Sequence, residues 1–190
     1  MTFKKNILIL FIISVFISGS SCGIKNRENL PQNKSVKTEQ NPGEYLIVTK
    51  VIDGDTFKMS NGEKVRLIGI DTPEKYDSDK LDRESVRTGR DRNTIKKLGE
   101  EASEYVRKLV EGKRVKLVSE PGYEDKDKYG RSLRYVYLED GTFINAKIIE
   151  EGYANVYNAA NVSKIIEFRR LEKEARENNR GLWGEVEGLK

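Results

Sequence analysis

The sequence predicts an α+β fold, a small barrel of five strands with about three helices packed around it. Three observations lead there. Five short runs rich in β-branched residues are separated by turn signals: Tyr45 to Ile52, Thr56 to Met59, Lys64 to Ile70, Arg114 to Ser119 and Ser132 to Leu138. Three segments carry apolar residues at helical spacing, with one of them inserted between the third and fourth strands. And a chain of 190 residues with 36% hydrophobic content has enough apolar side chains for one modest core.

Taken in order, the first strand runs into Asp53-Gly54-Asp55-Thr56, a composition suited to a tight turn. Asn61-Gly62 gives a second hairpin signal, into Lys64 to Ile70. That third strand ends at Asp71-Thr72-Pro73-Glu74, so burying Val65, Leu67, Ile68 and Ile70 delivers three oxygen-bearing side chains to one sheet edge. If the first strands pair, Asp55 and Asp71 converge. Residues 75–97 are densely charged with few apolar anchors and read as a long mobile loop. Asp77, Asp79 and Asp82 lack the glycine and glutamate that a calcium-binding loop places after its first acids, so they read as solvated charges. Glu100 to Glu111 is a helix, with Ala102, Val106, Leu109 and Val110 on one side and Gly112 as its stop. Ile144 to Glu151 is a short helix ended by Gly152, and Lys164 to Asn178 is amphipathic through Ile165, Phe168, Leu171 and Ala175. Trp183 is expected to pin the chain end. Five strands in this order, with a helix between the third and fourth, suggest a Greek-key barrel of the OB type.

The N-terminal part reads differently. Residues 1–21 hold Lys4 and Lys5, an apolar run from Ile7 to Ile17 too short to span a bilayer, and small residues before Cys22, which is the pattern of a signal peptide. Cys22, the sole cysteine, stands where a bacterial lipobox would be acylated, although Gly19 replaces the preferred leucine. A lipid-anchored or secreted protein is therefore expected, with residues 22–43 as the attachment site and a polar, disordered tether, and 44–190 as the folded domain.

Composition narrows the chemistry. The chain carries 35 basic and 31 acidic residues, a net charge of +4, but the excess lies before residue 44 and the remainder balances at 29 of each. A polyanionic partner must then be gripped by a local arrangement of charge. With no histidine and one cysteine, histidine-based triads, histidine general bases and ordinary zinc sites are excluded. No phosphate-cradling GxxxxGK[ST] loop is present. Carboxylates, arginine, lysine, tyrosine and a hard metal are what remain.

The order IDGDT at 52–56, VRLIGIDTPE at 65–74, DKYGR at 127–131, INAKIIEEGYA at 144–154 and RGLWGE at 180–185 resembles the thermonuclease family, the staphylococcal-nuclease-like nucleases, from about Val48 to Trp183. The resemblance implies an OB-type barrel that hydrolyses phosphodiester bonds in DNA and RNA with Ca2+ and leaves 3′-phosphate ends. By matching position, Asp55 and Asp71 would ligate calcium through carboxylates and Thr72 through its carbonyl. Glu74 would be general base, Arg66 and Arg131 would clamp the phosphate, and Lys128 and Tyr129 would contact the terminal phosphate. Asp53 would stand behind the ligands. Family members often carry two tyrosines after the short helix; here Asn158 and Ala160 align with them and Tyr157 is one place off.

Elementary chemistry agrees with those roles. Calcium takes oxygen ligands in irregular geometry, so two carboxylates and a carbonyl suit it, although so few charges make a weak site. Planar guanidiniums pair with the equatorial oxygens of a phosphodiester under attack, which a lysine cannot copy. A water nucleophile must lose a proton, and without histidine a carboxylate or the metal must take it. Taken singly, each motif also fits a plain structural reading, as a hairpin turn, a strand terminator or an Arg66–Asp71 ion pair. The rival reading for the whole chain is a non-catalytic OB-type module binding nucleic acid or protein. No obligate protein partner is expected.

Overall fold

The computed structural model describes residues 45–184, and the expected signal peptide, Cys22 and tether lie outside them. The strands are β1 (Tyr45–Asp53), β2 (Thr56–Met59), β3 (Lys64–Leu67), β4 (Ile70–Asp71), β5 (Arg114–Val118), β6 (Ser132–Leu138) and β7 (Asn155–Val156). The helices are α1 (Asp79–Thr88), α2 (Arg92–Val110), α3 (Ile144–Glu150) and α4 (Ile165–Glu177), followed by a 3-10 turn at Gly181–Trp183. β1, β2, β3, β6 and β5 close into a barrel in that order. All its pairs are antiparallel except β3 with β6. The expected five-stranded barrel is therefore present, with four helices rather than about three.

The barrel interior holds Val48, Val51, Phe57, Met59, Val65, Leu67, Val115 and Val136, all nearly inaccessible to water. Alternation along the strands puts these side chains inward and the lysines of β2 and β3 outward. The same core runs on beneath α3 and α4 through Ile144, Ile148, Ile149 and Phe168. Asn145, with no exposed surface, ties the two halves. Its Oδ1 accepts from the Val136 N–H at 3.0 Å and its Nδ2 donates to the Ile68 carbonyl at 3.0 Å.

Three expectations are corrected. Residues 75–97 are not a loop: Ser78 caps α1 by accepting from the Leu81 N–H at 3.2 Å, and Gly89, at φ 69°, ends it. A single anchor, the fully buried Leu81, suffices because ion pairs and hydrogen bonds replace an apolar stripe. Asp91 then caps α2, which starts at Arg92 and not Glu100; Ile95 and Leu98 extend the buried stripe of Ala102, Val106 and Val110 by two turns. The strand expected over 64–70 is also broken after Leu67. Gly69, at φ 78°, reverses the chain beneath the Phe168 ring, where a Cβ would come within 2.8 Å of a ring carbon. Ile70 and Asp71 then pair with Val156 and Asn155 outside the barrel.

Trp183 is expected to pin the chain end; in the last described turn it is Leu182 that is buried, donating its N–H to the Gly152 carbonyl at 2.8 Å. Trp183 stacks beneath Arg176, whose guanidinium lies 4.1 Å from the ring centre. Among the described residues no helix is long and apolar enough to cross a membrane.

Candidate active site

Where β3 leaves the barrel, a cleft of about 950 Å³ opens between the acidic turns, α1 and the loop before β6. The turn between β1 and β2 forms its floor. Gly54 brings this turn so close to Thr72 that a Cβ would meet the Thr72 side chain at 2.8 Å. The Thr72 N–H donates to Asp55 Oδ2 at 3.2 Å, so the two acidic segments that sixteen residues separate in sequence are stitched together. Asp55 and Asp71 converge, as pairing of the first strands requires.

Arg66 is the bridge between them. Its guanidinium forms ion pairs with Asp55 and, at 3.1 Å, with Asp71, and it donates to the Ile70 carbonyl at 3.3 Å. Burial alone would raise the Asp55 carboxyl, which is 3% exposed. The Arg66 charge, the Lys80 charge and the bonds from Arg66 and Thr72 outweigh burial and hold it at about 2. The same partnership outweighs burial at Arg66 and raises its pKa, so this pair stays ionised. Asp53 lies behind, accepting from the Gly54 N–H at 2.8 Å and from Ser103 of α2 at 3.3 Å. Burial, and then the Asp55 charge, raise its carboxyl to about 6.

The second arginine arrives through the DKYGR turn. Asp127 accepts from the backbone N–H groups of Tyr129 and Arg131 at 2.9 and 3.0 Å and holds the Arg131 guanidinium through Nε at 2.7 Å and Nη2 at 2.6 Å. Arg131 Nη1 donates to Thr56 Oγ1 at 3.2 Å, and Thr56 in turn donates to Asp55 at 3.0 Å. A continuous chain thus joins the second arginine to the buried carboxylate. Three of five guanidinium donors are engaged, leaving two for a ligand. Lys128 and Tyr129 project into solvent beside it, Tyr129 being 71% exposed, with the Lys128 ammonium 5.0 Å and the Arg131 guanidinium 5.4 Å from the Tyr129 ring centre.

Glu74 lines the cleft, and its Oε1 accepts from the N–H groups of Lys75 and Tyr76 at 3.1 and 3.3 Å. Gly99 of α2 packs directly on its backbone, where a Cβ would lie 2.8 Å from both the Glu74 carbonyl carbon and the Pro73 oxygen. All eight residues expected at the site thus border one region. Asn158 and Ala160 do not: Asn158 accepts from Arg169 and Ala160 is buried, whereas Tyr157 is 46% exposed and lines the cleft.

The sequence reading missed three contributors. Thr56 and Asp127 sit inside the quoted motifs, where their partners depend on how the turns fold. Lys80 lay in the segment read as loop. Its ammonium is 3.1 Å from Asp71 Oδ1 and 3.1 Å from the Thr72 carbonyl, and the Asp55 charge reaches it too.

These contacts also test the fit to calcium. The oxygens expected to hold the metal already face cations, Asp55 and Asp71 the Arg66 guanidinium, and Asp71 and the Thr72 carbonyl the Lys80 ammonium, so their directions suit a positively charged occupant. Among the described residues no three acidic, histidine or cysteine side chains group as a metal site by themselves. Two carboxylates and a carbonyl are a sparse hard-oxygen set that fits calcium at low affinity.

Comparison with known proteins decides the lineage. Residues 64–185 match the family described as staphylococcal nuclease homologue. The chain belongs to that family. It is 37% identical over 145 residues to a thermonuclease of Staphylococcus intermedius, covering 74% of this chain and 77% of the relative. An uncharacterized protein of Methanocaldococcus jannaschii is 36% identical over 148 residues, covering 73% and 71%. An uncharacterized endonuclease of Escherichia coli O157:H7 is 32% identical over 143 residues, covering 74% and 77%.

Proposed function

We propose that this chain is a calcium-dependent endonuclease, exported and held at the membrane by a lipid on Cys22 or secreted, that hydrolyses DNA and RNA to products ending in 3′-phosphate. Membership in the staphylococcal nuclease homologue family and the endonuclease relatives make it a hydrolytic nuclease acting on phosphodiester bonds. The finer statement is supported by one observation above all, the junction of Asp55, Asp71 and Arg66 with Arg131 linked to it through Thr56.

In this reading a phosphodiester enters the cleft with its non-bridging oxygens toward the free donors of Arg66 and Arg131, which match the charge that gathers there during in-line attack. Glu74 takes the proton of the attacking water, and Pro73 and the Gly99 contact fix where that carboxylate stands. Lys128 and Tyr129 border the terminal phosphate. Calcium held by Asp55, Asp71 and the Thr72 carbonyl would supply further positive charge to the scissile phosphate. Because the site's own cations balance its acids, the substrate is drawn in by donors left free rather than by a basic field.

Digestion of plasmid, denatured DNA and RNA tests the proposal, with calcium, with a chelator, and with Glu74→Gln or Arg131→Ala. Each substitution is expected to cost at least about 100-fold in rate, a few kcal/mol of lost transition-state stabilisation, with an unchanged circular dichroism spectrum. Cleavage that persists under chelation, or in both variants, refutes it. Labelling of Cys22 with a fatty-acid analogue tests the anchor.

A further inference from the structure

Two internal cations sit on the expected calcium ligands, Arg66, buried against Asp55 and Asp71, and the more exposed Lys80. Lys80 comes from the first turn of α1 and touches two of the three groups assigned to calcium, Asp71 and the Thr72 carbonyl, both at 3.1 Å. Its side chain is 34% exposed, so a short swing takes the ammonium into solvent. α1 is otherwise fastened to this corner by Glu84, whose Oε2 accepts from the Glu74 N–H at 3.3 Å. Two polar side chains of α1, Lys80 and Glu84, thus hold the helix to the acidic turn through three contacts.

We propose that Lys80 is an affinity-determining residue of the cation site, an ammonium that calcium must displace, so that calcium binding loosens the N-terminal turn of α1. This rests on the placement of calcium at Asp55, Asp71 and Thr72 given above. The physics is exclusion. Calcium binds oxygen at 2.3–2.6 Å and keeps close to the carboxylate plane, where it would meet a like charge already within hydrogen-bond distance of the same atoms. The two cations cannot share Asp71 and the Thr72 carbonyl, and the monovalent one on a flexible stem leaves. In exchange, the ammonium offsets the repulsion between Asp55 and Asp71 when calcium is scarce, together with Arg66. The sequence thereby couples cation affinity to a helix rather than to the ligands alone.

Calorimetric titration of Ca2+ into the full chain tests this without any nuclease assay. Lys80→Met is expected to bind calcium about tenfold more tightly than the unchanged protein, and its melting temperature in chelator is expected to drop. Lys80→Arg, which retains the charge, should stay within about threefold of the unchanged protein, as should Lys96→Met, a lysine of α2 paired instead with Asp77. Equal or weaker binding by Lys80→Met overturns the proposal while leaving the calcium site standing. No heat of binding from any of these proteins overturns both the calcium site and the proposal. Should Lys80→Met fail to fold, hydrogen exchange in the unchanged protein decides: calcium should speed exchange of amides in 79–88, and protection or no change there refutes the displacement.

Discussion

Replacing Gly99 by alanine separates an ordinary helix effect from a catalytic one. In a solvent-facing helix interior this exchange stabilises by about 1 kcal/mol, since alanine has the better propensity and loses less backbone entropy. Here the added methyl would stand 2.8 Å from the Glu74 carbonyl carbon, 2.8 Å from the Pro73 oxygen and 2.9 Å from the Glu74 oxygen. Ordinary contact begins at 3.4 Å, so helix or turn must retreat by the difference of 3.4 and 2.8, that is 0.6 Å. Those neighbours are backbone and cannot rotate aside. The cost of overpacking, about 1–3 kcal/mol, cancels or exceeds the propensity gain, and the retreating segment carries the Glu74 carboxylate. Misplacing a catalytic group by about 1 Å costs on the order of 100-fold, so 0.6 Å should cost about tenfold or more in kcat, with KM little changed. Steady-state kinetics on a short oligonucleotide, beside a thermal melt, reads both effects. A variant that melts higher and keeps its full kcat would show that the contact does not position Glu74.

Other outcomes follow from the same geometry. Thr56→Val keeps the shape of a β2 side chain but cuts the link from Arg131 to Asp55, and should lower kcat by about tenfold with the melting temperature shifted by a few degrees at most. In Asp127 burial works to raise the carboxyl, but the bonds from the Arg131 and Tyr129 N–H groups and the Arg131 charge hold it below the usual 3.8. Its stabilisation is present above the usual carboxylate value and is lost as pH falls through the lowered folded value, so Asp127→Asn should melt lower than the parent at pH 7, and the gap should narrow steadily as the solution is acidified. The same variant should raise KM, because Arg131 loses its paired acceptor. Asn145→Leu strands the Val136 N–H and the Ile68 carbonyl in the core, at about 1–3 kcal/mol each, and should lower the melting temperature by roughly 10 °C or more.

Much of this protein was legible before any coordinates. The barrel strands announce themselves because Asn61-Gly62 and Asp53-Gly54 sit between runs of β-branched residues, and turn chemistry of that kind acts locally. The eight residues expected at the site are named by the resemblance of contiguous motifs at strand ends to the thermonuclease family, and the fold brings them to one region. What stayed hidden depended on distant partners. α1 carries one buried anchor, Leu81, and its other fastenings are polar, from Lys80 and Glu84 to the 71–74 turn and from Asp82 to Arg92 of α2, which no helical periodicity reports. Ile95 and Leu98 did continue the stripe of α2, but the charges around them masked it. The break at Gly69 follows from Phe168, a residue of α4 roughly a hundred positions downstream. The assignment of Lys80 to the acidic corner required all of this first.

The parallel pairing of β3 with β6 sets Val65 opposite Ser132 and Arg66 opposite Leu133, so Arg131, immediately before β6, stands two residues from the position that faces Arg66. Their spacing is therefore dictated by interstrand distance and pitch, quantities that hardly vary among proteins, and not by residues 119–126 between β5 and the DKYGR turn. The surrounding connections can therefore lengthen, shorten or change charge without altering the interval between Arg66 and Arg131.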